Sequence, residues 1–185
     1  MPHSGPAPIR PVPVAEPAVS VRQARTTDVR RIDELVDGYA RERILLAKER
    51  VTLYESVPEF QVAQDGEGRV IGCGAVHVLW EDLGEIRTLA VDPRWRGHGV
   101  GRVLLASLLD QARDYGLRRL FCLTFEIDFF RRHGFEVIDG TPVEPEVYGE
   151  LLRSMDEGVA EFLDLARVKP NTLGNTRMLL TLGPQ

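Results

Sequence analysis

The chain has 185 residues with 28 acidic against 23 basic side chains, a formal net charge of −5, which argues against a general nucleic-acid binder because a phosphate backbone demands a basic surface. No apolar run approaches the roughly 18 residues of a membrane span, and the first residues lack the apolar stretch of a secretory signal. Cys73 and Cys122 stand singly in apolar runs outside any metal-ligand spacing, so a cytoplasmic, reduced protein with no metal, membrane or nucleic-acid partner is expected, of a length that suits one domain plus a tail.

Residues 1–18, "MPHSGPAPIRPVPVAEPA", hold half of the chain's 12 prolines. Such a stretch favours extended, solvated backbone. It reads as a disordered leader, with a single domain over 19–185. Val19 to Ala24 is a first strand. Thr26 or Thr27 caps a helix whose apolar positions Val29, Ile32, Leu35 and Val36 recur at helical spacing. The pattern loosens near Gly38, and a second helix is predicted over roughly Ile44 to Leu53. "EFQVAQDGEGRVIGCGAVHVLW" is a strand, a turn at Gly66 to Gly68 and a longer strand. "LGEIRTLAV" is the next strand, stopped by Asp92-Pro93. Val100, Leu104, Leu108 and Ala112 mark the buried stripe of a helix that Gly116 terminates. "RRLFCLTF" is a strand buried on both faces. A short helix, "IDFFRRH", ends at Gly134, and "FEVI" is extended. A helix over Pro145 to Met155 and a last strand, "TRMLLTL", complete an α+β arrangement with a mixed sheet.

Three glycines and three arginines crowd between Arg94 and Arg102, in "RWRGHGVGR", where a strand ends and a helix begins. The first amides of a helix have no intrahelical partner, and the helix dipole makes that end positive. Glycines there let a backbone wrap an anion, for which phosphate is the natural candidate. No Lys-Ser/Thr follows the last glycine, which excludes the nucleoside-triphosphatase loop. "GHGVG" also lacks the dinucleotide spacing and comes after antiparallel strands instead of in a first βαβ unit.

What is left is R-x-x-G-x-G, here Arg96, Gly99 and Gly101, preceded by "VDP". This resembles the acyl-CoA pyrophosphate loop of the GNAT superfamily of N-acetyltransferases, and the element order from Val19 to Leu182 resembles that fold. "LLAKERVTLYESVPEF", "VIGCGAVHVLWEDLGEIRTLAVDP" and "LTFEIDFFRRHGF" together resemble the acetyltransferase domain of N-acetylglutamate synthases, in a short stand-alone form too small to hold the kinase-like arginine-control domain of the larger ones. The resemblance implies a GNAT fold and acetyl-CoA as co-substrate. It implies acetyl transfer to the α-amino group of L-glutamate, the reaction that opens arginine synthesis. Glutamine or another small amine as acceptor, and a non-catalytic acetyl-CoA-binding regulator, are the alternatives. A homodimer is left open.

For the coenzyme, the resemblance implies Arg96, Gly97, His98, Gly99, Val100, Gly101 and Arg102, with Leu89 and Val91 pairing their main chain with the pantetheine arm. An α-amino group is largely protonated at neutral pH and must lose a proton before it attacks. Glu85, upstream on the same strand, is the general base that the resemblance implies. Strand alternation predicts that Glu85, Arg87 and Leu89 share one face, and mutual neutralisation of Glu85 and Arg87 is the competing reading. The tyrosine that protonates the departing thiolate in many GNAT enzymes is replaced here by Phe130, which has no proton to give. The resemblance implies acceptor contacts at Lys48, Cys73, Arg87, Leu123, Thr176 and Arg177. His77 and His133 read as structural.

Overall fold

In the computed structural model, which describes residues 18–42, 45, 48–168 and 174–183, seven strands form one sheet in the order β1-β2-β3-β4-β5-β7-β6. The strands are β1 (Ser20–Gln23), β2 (Phe60–Gln64), β3 (Val70–Trp80), β4 (Leu83–Val91), β5 (Arg119–Thr124), β6 (Glu136–Val137) and β7 (Thr176–Thr181). The helices are α1 (Val29–Arg41), α2 (Arg50–Glu55), α3 (Val100–Asp114), α4 (Ile127–Arg131), α5 (Pro145–Leu151) and α6 (Glu157–Phe162). All strand pairs are antiparallel except β4 and β5, which α3 connects as a crossover. This is the predicted mixed α+β architecture. Residues 1–17 of the expected leader lie outside the described residues.

Each face of the sheet buries its own apolar layer. On one face, Leu105, Leu108 and Ala112 of α3 pack on Val76, Ile86, Leu120 and Cys122. On the other, Val29, Ile32 and Val36 of α1 cover Cys73, Ala75 and Ala90. Farther along that second face, Val159 and Phe162 of α6 and Leu151 of α5 meet Leu79, Leu83 and Phe121.

Two irregularities in β4 shape everything downstream. Cys73 pairs with Ala90 but Ala75 with Arg87, so Gly74 stands opposite two residues, Thr88 and Leu89. Thr88 has φ 60, and this β-bulge resets the side-chain alternation. The expectation that Leu89 shares a face with Glu85 and Arg87 is therefore corrected. The extra residue turns Leu89 to the opposite face, where it packs with the α3 layer. Second, β4 pairs with β5 only over Leu83–Glu85 and Arg119–Phe121. Beyond Glu85 the two strands part.

Three predicted helices and strands have different bounds. α2 begins at Arg50, so Lys48 and Glu49 precede it, and residues 44, 46 and 47 of the predicted stretch lie outside the described residues. The helix predicted to Met155 stops at Leu151, and α6 follows as a separate helix that the periodicity did not suggest. The break has a local cause: Ser154 Oγ accepts from the Asp156 amide at 3.1 Å, and Asp156 in turn accepts from the Val159 amide at 3.1 Å, capping α6. Of "FEVI", only Glu136–Val137 joins the sheet.

Candidate active site

The parting of β4 and β5 opens a cleft of about 1160 Å³ lined by Glu85 to Leu89, Val91, the loop from Trp95 to Arg102 except His98, Leu123 to Glu126, and Met155 to Gly158 with Glu161. Glu85 and Val91 are six residues apart on β4, roughly 20 Å along the strand, so the cleft has two ends of different chemistry.

At the loop end the backbone does the work. Asp92 is 4% exposed and stops β4. It accepts from the Arg94 amide at 3.0 Å and from the Arg31 guanidinium at 2.6 Å, and Arg94 holds its carboxyl well below the usual carboxylate range. Gly97 and Gly99 have φ 80 and 76, the left-handed region that side chains avoid. Gly99 is the N-cap of α3 and offers no side-chain cap. The first intrahelical bond runs from Val103 N to Gly99 O at 3.1 Å, so the amides of Val100, Gly101 and Arg102 precede it and face the cleft mouth. These groups fit a pyrophosphate: uncommitted donors at the positive end of a 15-residue helix.

The side chains of the loop divide. Arg102 lines the cleft. Arg96 also lines it, but its guanidinium lies over the Tyr39 ring at 5.0 Å, bonds the Tyr39 hydroxyl at 3.3 Å and approaches Glu42 at 3.8 Å. Tyr39 also donates to Val91 O at 2.8 Å, which ties α1 to the end of β4. Nothing local in the sequence singles out Tyr39, 52 residues from Val91. His98 is turned out of the cleft. Its amide bonds Trp95 O at 3.3 Å and its Nδ1 lies 3.0 Å from Arg96 O, so the loop itself consumes its polar groups.

At the far end the chemistry is carboxylate. Glu85 is 3% exposed, and its Oε2 has no hydrogen-bond partner among the described residues. Burial pushes its carboxyl up to about 8, only partly offset by Arg87. Arg87 NH1 is 3.7 Å from Glu85 but bonds Asp156 at 3.0 Å, and NH2 bonds Glu59 at 3.1 Å. His77 closes the ring of polar groups, 2.8 Å from Glu59 and 3.5 Å from Asp156. Arg87 is thus shared among carboxylates and does not simply neutralise Glu85. α6 crosses directly over Glu85. A Cβ built on Gly158 would overlap Glu85 Oε2 and lie 2.8 Å from its Cδ.

The expected acceptor residues scatter. Lys48 and Leu123 line the cleft, and Lys48 forms no ion pair with the described residues. Cys73 lies in the α1 layer, fully buried, donating to Thr88 O at 3.8 Å with its thiol pushed up to about 12. That is a packed thiol, outside the cleft walls. Thr176 pairs with Thr124 in the sheet while its neighbour Asn175 lines the cleft. Arg177 also stands outside. Its guanidinium donates to the Phe162 carbonyl at the end of α6 and sits 5.9 Å from the Phe121 ring centre. Phe130 borders the cleft, packed edge-on against Phe129 and Phe135. Among the described residues no group of His, Cys, Asp and Glu could hold a metal ion, and no helix is long and apolar enough to cross a membrane.

With this geometry in hand, known proteins supply the context. Residues 28–135 match the acetyltransferase (GNAT) family. An amino-acid acetyltransferase of Mycobacterium tuberculosis is 62% identical over 164 residues, covering 88% of this chain and 94% of the relative. An amino-acid acetyltransferase of Neisseria meningitidis is 37% identical over 65% of this chain, but the match spans only 28% of that longer relative. Among solved structures, a Mycobacterium tuberculosis protein in complex with CoA superimposes with a TM-score of 0.86 at 61% identity, over 89% of this chain and 99% of that one. N-acetylglutamate synthase of Neisseria gonorrhoeae, complexed with coenzyme A and N-acetyl-glutamate, superimposes with a TM-score of 0.72 at 27% identity, over 90% of this chain and 36% of that one.

Proposed function

The chain belongs to the acetyltransferase (GNAT) family, and from that premise we propose that it transfers the acetyl group of acetyl-CoA to the α-amino group of L-glutamate, the step that opens arginine synthesis. The observation that carries the reading is one continuous cleft with uncommitted helix amides at one end and the buried, unbonded Glu85 carboxyl at the other. The names of the similar amino-acid acetyltransferases and of the synthase bound to N-acetyl-glutamate support the acceptor class.

In this reading the amides of Gly99 to Arg102, with Arg102, hold the pyrophosphate. The strand edge at Leu89, left without a β5 partner, lies along the pantetheine arm, whereas the expected pairing at Val91 meets main-chain groups already engaged by the Tyr39 hydroxyl, the carbonyl at 2.8 Å and the amide at 3.4 Å. Acetyl-CoA supplies an acetyl carbon activated as a thioester. The Glu85 carboxylate takes the proton of the acceptor ammonium, which leaves a lone pair on nitrogen for attack. As the C–S bond breaks, the nitrogen's second proton passes through water to the departing sulfur, since Phe130 offers no donor. Lys48 faces a carboxylate of the amino acid.

Glutamine is the second reading, and a count of cations favours it. Arg87 is already shared among Glu59, Asp156 and Glu85, and Arg177 is bonded to Phe162 outside the cleft. Lys48 is then the one unpaired cation at this end among the described residues, enough for one carboxylate. Glutamine has one and glutamate two.

Thiol release from acetyl-CoA across a panel of amino acids tests both readings. Glutamate and glutamine should stand above all others. Lys48→Met should raise the KM of the amino acid at least tenfold, about 1.4 kcal/mol, and leave that of acetyl-CoA unchanged. No turnover with any amino acid would overturn the assignment.

A further inference from the structure

Two carboxylates face the acceptor end of the cleft, and the proposed proton transfer uses only one. Glu161 projects from α6, is 8% exposed and lines the same cleft as Glu85. Its carboxylate makes no hydrogen bond or ion pair with the described residues, and Glu85 Oε2 is likewise without a hydrogen-bond partner. The charged groups that face the two are few. Arg87, Glu161, Asp156 and Lys48 act on Glu85, and Glu157, Lys48, Asp156 and Arg87 on Glu161. On the β5 side the charge of Glu85 acts through space on the Cys122 thiol, which is buried in the α3 layer on the other face of the sheet. Arg87 is occupied by Asp156 and Glu59, which also flank His77. Acids therefore outnumber available cations in a nearly dry corner.

We propose that Glu161 is a binding residue of the acceptor subsite and that, with Glu85, it holds the α-ammonium of the incoming amino acid while Lys48 faces the α-carboxylate. The inference rests on the acetyl-transfer reading above. An ammonium has three N–H donors and no acceptor, which matches two carboxylates whose oxygens lack donors. A cation between them offsets the burial that drives Glu85 up to about 8 and Glu161 up to about 7. Metal ligation is a poorer match, because no such cluster exists among the described residues. The arrangement selects a zwitterionic head group, positive toward α6 and negative toward Lys48, independently of the side chain that follows.

The experiment compares wild type, Glu161→Gln and Glu161→Ala with glutamine and glutamate as acceptors. Glutarate, which is glutamate without its amino group, serves as a competitive inhibitor. The KM of both amino acids should rise at least tenfold in both variants, while the acetyl-CoA KM and the glutarate inhibition constant stay put. The acid limb of kcat/KM against pH should also move to lower pH, because Glu85 loses a like-charged neighbour. An unchanged amino-acid KM with an unmoved limb overturns the proposal, as does an equal loss for glutarate, which would mark a structural role. If wild type acetylates no amino acid, the functional reading fails first. Calorimetric binding of glutamine then still tests Glu161, and equal affinity in wild type and variant overturns its role.

Discussion

The two ends of the cleft are built on opposite plans. The loop end comes from one run of chain, residues 92 to 102, and acts through main-chain amides whose placement depends on two glycine φ angles and a helix start. The acceptor end is assembled from side chains of Lys48, Glu85, Arg87, Asp156 and Glu161, which no local pattern joins. The first plan tolerates variation in the side chains around it, as His98 shows by facing away. The second depends on the distances between elements, and small displacements there should be felt most.

The largest effect is expected at Glu85. Glu85→Gln keeps the shape of the site and removes only the proposed base, so kcat should fall roughly 100- to 10,000-fold with acetyl-CoA affinity unchanged. Its stability should move the other way. The folded carboxyl titrates near 8 and an unfolded one near about 4.3. Between those values the native state binds more protons than the unfolded state, so wild-type stability falls as pH rises through that window and levels off above it. Melting curves at pH 5 and pH 9 should therefore show Glu85→Gln gaining on wild type at the higher pH. A constant gap would mean that the burial of Glu85 is relieved in solution.

Gly158→Ala is next. One methyl group must displace Glu85 or α6, and a shift of about 1 Å at a reacting group is worth roughly 100-fold in rate. Glu85→Ala in the same chain should restore the melting temperature without restoring activity. At the other end, Gly99→Val forces a β-branched residue to φ 76, a strain of about 1–3 kcal/mol. The acetyl-CoA Kd should rise at least tenfold while the amino-acid affinity is spared. Titration calorimetry on both ligands reads that separation, and a loss confined to the amino acid would reverse the roles of the two ends. The smallest catalytic effect belongs to Arg177→Met. Both KM values should change less than about twofold, the range for a residue away from the site, while the melting temperature drops because the Phe162 carbonyl loses its charged donor and keeps only the longer bond from the Thr141 hydroxyl at 3.4 Å. A tenfold rise in amino-acid KM would bring Arg177 back into the site.

What the sequence made legible follows the same division. The succession of elements along the chain, α3 and the glycine-rich loop between β4 and α3 are local patterns, a period, a stop and a cap, and they are found where expected. Leu89 was set on the wrong face because a bulge leaves no mark in hydrophobic alternation: Thr88 is β-branched and looks like any strand residue. α6 was missed because "DEGVAEF" is short and follows a helical pattern without an obvious break. The Ser154 and Asp156 side chains that end one helix and cap the next were the available signal. Arg177 and Lys48 are both basic residues in loop-flanked stretches, and only the direction of each side chain separates a residue bonded to α6 from one that borders the cleft. Glu161 had no sequence signal at all, since its interest lies in being close to Glu85, 76 positions earlier in the chain.

The overlap that a Cβ at position 158 would create has a consequence for how this sequence can change over time. Positions 85 and 158 form an epistatic pair. While the carboxylate is kept, any side chain at 158 must displace it or α6, and that conflict lifts only in a lineage that has already lost the glutamate. A descendant that drifted to alanine or serine there could not regain a working glutamate at 85 by a single reversion. The contact thus acts as a one-way gate in sequence space, and a glycine in a six-residue helix becomes the inherited mark of a chain that still does the chemistry.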